Sequence, residues 1–390
     1  MASRQRRTTV CDPLEAATPS GQHEPAAADR PGMSRRRVLG TMGAASAGLF
    51  AFADLVGRPG LAQAAPQDTD TSGASVILLG TNGGPPPLAA RYGISSALVV
   101  NGKVYVIDCG RGALSQFVQA GLALTSLAGI FLTHLHSDHT VDYFSFPLLS
   151  ATTGAFTSTE VYGPGPAGEP SLVPSAPGPV PGIAGLTSLA NQAFAASTTF
   201  FKAENVGKDP ASLVNVHEIL PPASAGASLA TPAPVMTPFT VLENSDVKVT
   251  AICVPHGAVY PAYAYRFDTD HGSVVFSGDT SPTPNIITLA QGADLLVHEA
   301  VDLAVYAGLG LPPALLAHLQ AVHTDVTQLG RIAAESRVRA LVASHLGPGD
   351  PAILSNEGWR AALRDSAKQA GFGGPMLLGA DLMRIPLRRR

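Results

Sequence analysis

The stretch Thr133-His134-Leu135-His136-Ser137-Asp138-His139 follows directly on the apolar run Ala128 to Leu132, and its reading decides the fold. Three imidazoles and a carboxylate fall within six positions, at what the run predicts to be the end of a buried strand. In an extended backbone His134 and His136 project to the same side. Asp138 and His139 follow where the chain turns towards a helix, and they can face a second ion beside the first. Zinc takes imidazole nitrogen at ~2.0–2.1 Å and carboxylate oxygen at a similar distance. The turn therefore offers one pair of ligands to one metal and another pair to a second. The plainer alternative is a polar loop whose histidines cap a helix beginning near Thr140. Four ligand-type residues at this spacing point instead to a metallohydrolase.

Outward from the turn, the pattern is of short β-rich runs. Upstream lie Val76 to Leu79, Ala97 to Val100 and Val104 to Ile107, the last two joined by the hairpin signal Asn101-Gly102. A helix is expected over Ala113 to Ala120, closing at Gly121. Downstream come helix-like stretches at 141–149 and 186–200, interrupted by Pro/Gly/Ala/Ser-rich stretches at 163–182 and 221–238. Irregular inserts of this size are uncommon in compact domains, and 163–240 is expected to be a lid-like insertion. Strand-like runs resume at 247–254, 262–267 and 273–276. Strand-like and helix-like segments then alternate: 294–297, 326–335, 340–343, 376–378 and 382–385. Strands followed by strand–helix alternation, twice over, predict an α/β sandwich of two similar halves. Several later runs end in metal-binding chemistry: His256, Asp279, His298-Glu299 and His345.

Composition sets the bounds. The 390 residues are 45% hydrophobic and only 14% charged, with 40 Gly and 33 Pro, so a sizeable core and many turns are expected. Met33-Ser34-Arg35-Arg36-Arg37-Val38-Leu39 precedes a mildly apolar Gly/Ala run, and Leu61-Ala62-Gln63-Ala64 supplies small residues. Residues 33–64 thus read as a twin-arginine export signal behind an unstructured extension, 1–32. Export to the periplasm or beyond, by the twin-arginine machinery, is the resulting expectation. The run is too polar for a stable membrane anchor. Residues 65–390 carry 17 Lys+Arg against 24 Asp+Glu, a net of −7, and on that ground no nucleic-acid partner is expected. Cys109 and Cys253, each inside an apolar run, are expected to be buried thiols. The sequence leaves homo-oligomerisation open.

The order HxHxDH, His256, Asp279, His345 resembles the metallo-β-lactamase superfamily. Leu79-Gly80-Thr81, Ile107-Asp108-Cys109-Gly110, Val161-Tyr162-Gly163-Pro164, Ser277-Gly278-Asp279-Thr280, His298-Glu299-Ala300 and His323-Thr324 are similar to its RNase Z-type branch, which includes exported arylsulfatase-like and phosphodiesterase-like hydrolases. The resemblance spans 75–386 apart from the inserts. It implies a four-layer αββα sandwich over 74–390 and two zinc ions, with Mn or Fe also suited to His/Asp ligands. Carried across position by position, it implies that His134, His136 and His256 hold one ion, and that Asp138, His139 and His345 hold the other, with Asp279 bridging. It further implies catalytic roles for Asp138 and for His323, a general acid or substrate-oxygen binder oriented by Glu299.

The leading expectation is an exported dinuclear zinc hydrolase acting on a small phosphodiester or aryl sulfate ester. A tRNA 3′-processing endoribonuclease and a lactonase or β-lactamase-like enzyme are the alternatives in the same class. A metal-binding protein on a dead fold is the alternative outside it.

Overall fold

The computed structural model describes residues 73–152, 158–169 and 172–388. The extension 1–32 and the export signal 33–64 lie outside them. Fourteen strands form two seven-stranded sheets among the described residues. The first sheet is built from β1 (Ala74–Gly80), β2 (Ser95–Val100), β3 (Lys103–Ile107), β4 (Leu127–Phe131), β5 (Thr159–Pro164), β6 (Val214–Ile219) and β14 (Met383–Leu387). The second holds β7 (Phe239–Glu243), β8 (Lys248–Cys253), β9 (Tyr263–Thr269), β10 (Gly272–Phe276), β11 (Leu295–Val301), β12 (Leu341–Gly347) and β13 (Met376–Leu378). The helices are α1 (Ala113–Gln119), α2 (Ser137–Thr140), α3 (Ser145–Ser150), α4 (Ile183–Ala193), α5 (Ala195–Ala203), α6 (Pro284–Leu289), α7 (Leu303–Gly308), α8 (Pro313–Val322), α9 (Val326–Glu335) and α10 (Asn356–Ala370).

The two sheets follow the same plan. In the order β14-β1-β2-β3-β4-β5-β6 the first three pairings are antiparallel and the last three parallel. In the order β7-β8-β9-β10-β11-β12-β13 the same succession recurs. The α/β sandwich of two similar halves read from the alternation, with the αββα layering implied by the resemblance, is what the chain adopts.

The cores explain the layers. Tyr105, Phe131, Tyr265, Phe267 and Phe276 are buried between the sheets. There Phe131 stacks on Tyr162 at 4.7 Å between ring centroids and meets Phe267 edge-on at 5.0 Å. Outer faces bury Ile130, Leu132, Phe117 and Phe146 on one side, and Leu296, Leu341, Leu329 and Trp359 on the other. The central strands of the parallel parts, β4, β10, β11 and β12, are almost wholly buried, which is why they read as largely apolar runs.

The hairpin expected at Asn101-Gly102 is present, both residues having positive φ (50° and 77°), as a two-residue turn of this twist requires. Three readings are corrected. The helix expected over 141–149 begins only at Ser145, as α3, after turn residues 141–144, and that expected over 186–200 breaks into α4 and α5 at Phe194. Segment 163–240 is more than an inserted lid, because it delivers β6, an edge strand of the first sheet, and runs directly into β7, an edge strand of the second. Leu213, Val214 and Ile219 are buried there, and Phe239, Val241 and Leu242 pack on the inter-sheet core. Cys109 and Cys253 are free and buried, and burial pushes the Cys253 thiol up to about 12. No helix among the described residues is long and apolar enough to cross a membrane.

Candidate dinuclear metal centre

Most residues of the constellation sit at or just past the end of a strand. His134, His136, Asp138 and His139 follow β4, His256 follows β8, Asp279 follows β10, Glu299 lies in β11 and His345 in β12. The first group therefore hangs from one sheet and the second from the other. Two backbone and side-chain bonds tie the groups together: Tyr263 N donates to Thr133 O at 2.9 Å, and Tyr265 Oη donates to Leu132 O at 2.9 Å.

The ligand-type atoms gather into two groups, His134–His136–His256 and Asp138–His139–Asp279–His345, each within 4.8 Å of one another. In the first, His136 Nδ1 stands 3.1 Å from His134 Nε2 and 3.2 Å from His256 Nε2. In the second, Asp279 Oδ1 lies 3.3 Å from His139 Nε2, and Asp279 Oδ2 lies 3.3 Å from His345 Nε2. Asp138 Oδ2 is 3.4 Å from His345 Nε2. Asp279 Oδ2 also faces His256 Nε2 at 3.8 Å, so this one carboxylate reaches both groups.

The donor set fits divalent ions. Ligands at ~2.0–2.1 Å around a tetrahedral ion stand about 3.4 Å apart, close to the separations here. His139 Nε2 and Asp279 Oδ1 are deeply buried and have no hydrogen-bond partner, an arrangement that costs free energy until something cationic lies between them. Burial keeps the first group neutral, the state a metal ligand needs: it lowers His256, takes His136 down to about 4 with His256 adding to it, and lowers His134 furthest.

The surroundings orient these rings. His139 Nδ1 meets Asp108 Oδ2 at 2.9 Å, and the Asp108 carboxylate also accepts from Thr133 N at 2.8 Å. His256 Nδ1 faces Val322 O at 2.8 Å, and His134 Nδ1 faces Thr133 Oγ1 at 3.1 Å. Such partners fix ring orientation and raise ligand basicity. Burial opposes charge on His139, yet Asp279 and Asp108 together raise it well above the usual histidine value.

Local backbone aims two side chains. Along β11 and β12, Glu299 pairs with Ser344 but Ala300 with Leu346, which leaves His345 as the extra residue of a β-bulge. His345 has φ 46° and Asp108 φ 59°, left-handed values uncommon for residues other than glycine. Gly278 (φ 57°) lets the turn before Asp279 approach closely, since a Cβ there would lie 2.7 Å from Tyr263 O and 2.9 Å from Thr133 Cβ.

Beside the ligands, His323 at the end of α8 places Nδ1 3.0 Å from Glu299 Oε1, which itself accepts from Thr280 N at 2.8 Å. Burial opposes the imidazolium, but the Glu299 carboxylate outweighs it and raises His323 to about 9. Asp138 is held down at about 2 because the His345 and His139 contacts outweigh its burial. His298 is buried, with Nδ1 against the carbonyl of Glu299 at 2.8 Å.

The sequence reading gave no role to Asp108, Thr133 or Val322. Asp108 stood within a quoted motif, and a carboxylate directly after a buried strand was the available signal. The orienting carbonyl of Val322 has none.

The profile of the metallo-beta-lactamase superfamily matches residues 90–146. Ribonuclease Z of Mycobacterium avium is 31% identical over 312 residues, covering 80% of this chain and 97% of the relative. The chain belongs to the metallo-beta-lactamase superfamily. Ribonuclease Z of Mycobacterium marinum is 28% identical over 318 residues, covering 81% of this chain and 99% of that one. The crystal structure of human tRNase Z, short form, shares the metallo-beta-lactamase fold with a TM-score of 0.55 and 19% identity, over 81% of this chain and all of the other. The metallo-beta-lactamase fold protein YhfI of Bacillus subtilis superposes with a TM-score of 0.53 and 17% identity, over 80% of this chain and 99% of the other. This member of the superfamily is a metal-dependent hydrolase acting on ester bonds.

One expectation is overturned. The acidic balance suggested that nucleic acid plays no part, whereas the curated relatives are ribonucleases by name. Net charge sums over a whole surface and carries no information on where cations cluster, so it is a weak guide to the contents of one cleft.

Proposed function

We propose that the protein is a dinuclear-metal phosphodiesterase of ribonuclease Z type. The observation that carries this reading is the pairing of two ligand groups, bridged by Asp279, with a Glu299–His323 pair 3.0 Å apart at their edge. Among the ester classes left open by the sequence, phosphodiesters are favoured over aryl sulfates because the relatives are named as ribonucleases.

His134, His136 and His256 would hold one ion, and Asp138, His139 and His345 the other, with Asp279 shared. A bound pair of divalent ions supplies an activated water at neutral pH and stabilises charge on the phosphoryl oxygens. Asp138, kept anionic, accepts a hydrogen bond from that attacking water. His323 carries the proton required by the leaving oxygen. Its Nδ1 is engaged by Glu299, so Nε2 is the atom that donates. Thr280 N fixes the Glu299 carboxylate and hence the ring.

The test uses the full chain reconstituted with zinc or manganese after chelation. Substrates are bis(4-nitrophenyl) phosphate and a tRNA precursor with a 3′ extension. Turnover of either, with Asp279→Ala lower by roughly 10³-fold or more, supports the reading. Undiminished turnover in Asp279→Ala overturns it.

A further inference from the structure

Next to the ligands opens a cavity of about 720 Å³, large enough for a small-molecule group beyond the phosphoryl itself. Its floor is His136, Asp138, His256, Asp279 and His323. Its walls come from elements absent from the sequence reading: α7, α8 and the loop between them, faced by the turns around Pro85–Leu88 and Ile353. They replace 163–240 as the segment that shapes this space, since no residue of 163–240 lines it.

The walls are apolar in an ordered way. Leu311, Leu315, Leu319 and Val322 all line the cavity. Their spacing of four, four and three places them along one side of α8 and its approach. The stripe ends at Val322, and the next residue is His323. Helix α8 buries only Val322 within the protein. Leu315 is 43% exposed and Ile353 45% exposed, both facing the cavity. Leaving large apolar side chains open to solvent beside a reactive centre is a mark of a binding site rather than of core packing. No lysine or arginine is among the lining residues; away from the ligand residues and the His323 imidazolium, the charged side chain is Asp350. Beyond His323, a negatively charged extension of the substrate would find no counter-charge along the leucines, whereas an uncharged apolar one would be desolvated against them.

We propose that this cavity receives an uncharged apolar group of aryl size carried on the leaving oxygen of the phosphodiester. The inference rests on the phosphodiesterase reading for the direction of cleavage. Because His323 protonates the leaving oxygen, the body of that group lies on the His323 side of the phosphorus, along Val322, Leu319 and Leu315. Hydrolysis breaks the P–O bond to this group; the attacking water forms the new P–O bond and releases one proton to solvent, the leaving oxygen takes the His323 proton, and His323 regains a proton from solvent. Leu315 and Leu319 are then specificity-determining residues for the leaving group and take no part in bond cleavage.

The experiment compares the metal-loaded full chain with Leu315→Asp and Leu319→Ala, and with Leu149→Asp as a control in an exposed apolar residue of α3. Leu315 is already partly in solvent, so its aspartate variant is expected to fold; thermal melts verify this. The substrate is bis(4-nitrophenyl) phosphate, and 2-naphthol serves as a product-like ligand, followed by competition and by calorimetry. The expected result is a KM raised roughly ten-fold or more in Leu315→Asp, with a smaller rise in Leu319→Ala, kcat within about three-fold, and the control unchanged. Naphthol competes and binds in the wild type and loses affinity in both cavity variants. Equal KM and equal naphthol binding in all four proteins overturn the proposal. If the wild type turns over no phosphodiester, the functional reading fails, and calorimetry still decides the cavity: naphthol binding that Leu315→Asp abolishes supports it, and no binding by the wild type ends it.

Discussion

Nδ1 of His323 and Oε1 of Glu299 stand 3.0 Å apart although one residue closes a helix and the other lies in the middle of a buried strand. That contact sets the protonation of His323 and the direction in which its second nitrogen points.

Replacing Glu299 by Gln therefore tests more than a hydrogen bond. The carboxylate holds His323 at about 9, so the acid is protonated throughout neutral pH and is lost as pH rises through that value. Without the negative charge the imidazole returns towards ~6.5 or below. Glu299→Gln should move the alkaline limb of the kcat profile down by roughly two pH units, with activity partly recovered near pH 6. An unchanged alkaline limb would remove His323 from the role of acid.

Asp108 orients His139 without reaching an ion itself. Asp108→Asn keeps the left-handed backbone readily and exchanges one carboxylate oxygen for a donor facing His139 Nδ1. Zinc affinity is expected to fall by about 10–100-fold, and the metal-free protein to lose the stability that the buried Asp108–His139 pair provides below the raised His139 value. Competitive titration with a chromogenic chelator measures this; wild-type affinity in the variant would contradict it.

Metal-free protein should be most stable near neutrality. His134, His136 and His256 have folded values below that of an unfolded histidine, so between about 4 and ~6.5 the unfolded chain binds more protons, and stability drops as pH falls. His139 and His323 are raised, so the stability they provide is present below ~6.5 and lost as pH rises through about 9 for His323. Melting temperatures after chelation should fall on both sides of neutral pH, and added zinc, which must displace the His139 proton, should raise the curve more on its alkaline side than on its acid side. A monotonic curve from pH 4 to 9 would be incompatible with these shifts.

Gly278→Ala should damage the centre through the backbone. A left-handed alanine costs about 1–2 kcal/mol, and its Cβ would press on Tyr263 O and on Thr133, which precedes His134. We expect a lower melting temperature together with a loss of zinc from the site occupied by Asp279. Full zinc content at wild-type activity would show that this turn has room to spare.

The ligands were legible because each follows a short apolar run, and strand ends on one side of a sheet converge. The hairpin at Asn101-Gly102 was legible because only a few residue pairs tolerate its dihedral angles. Asp108 as the orienting partner of His139, and Val322 as that of His256, depend on contacts across 31 and 66 residues, beyond any local pattern. Strands β6 and β7 lie among proline-rich stretches, and as edge strands they carry partly polar sequences that do not alternate cleanly. Helix α8, with leucines on an exposed face, looks like neither a core helix nor a surface helix. The cavity wall it forms therefore left no signal in the sequence.

The straddling of the two sheets by the ligand set has a mechanical consequence. Ions gripped from both sides act as a rivet: sliding or parting of the sheets at this end breaks coordination before it breaks any strand pairing. Amide hydrogen exchange in Thr133 and Tyr263, whose backbones meet across the seam, would then slow sharply on loading with zinc, while amides of β14 at the far edge of the first sheet keep their rate.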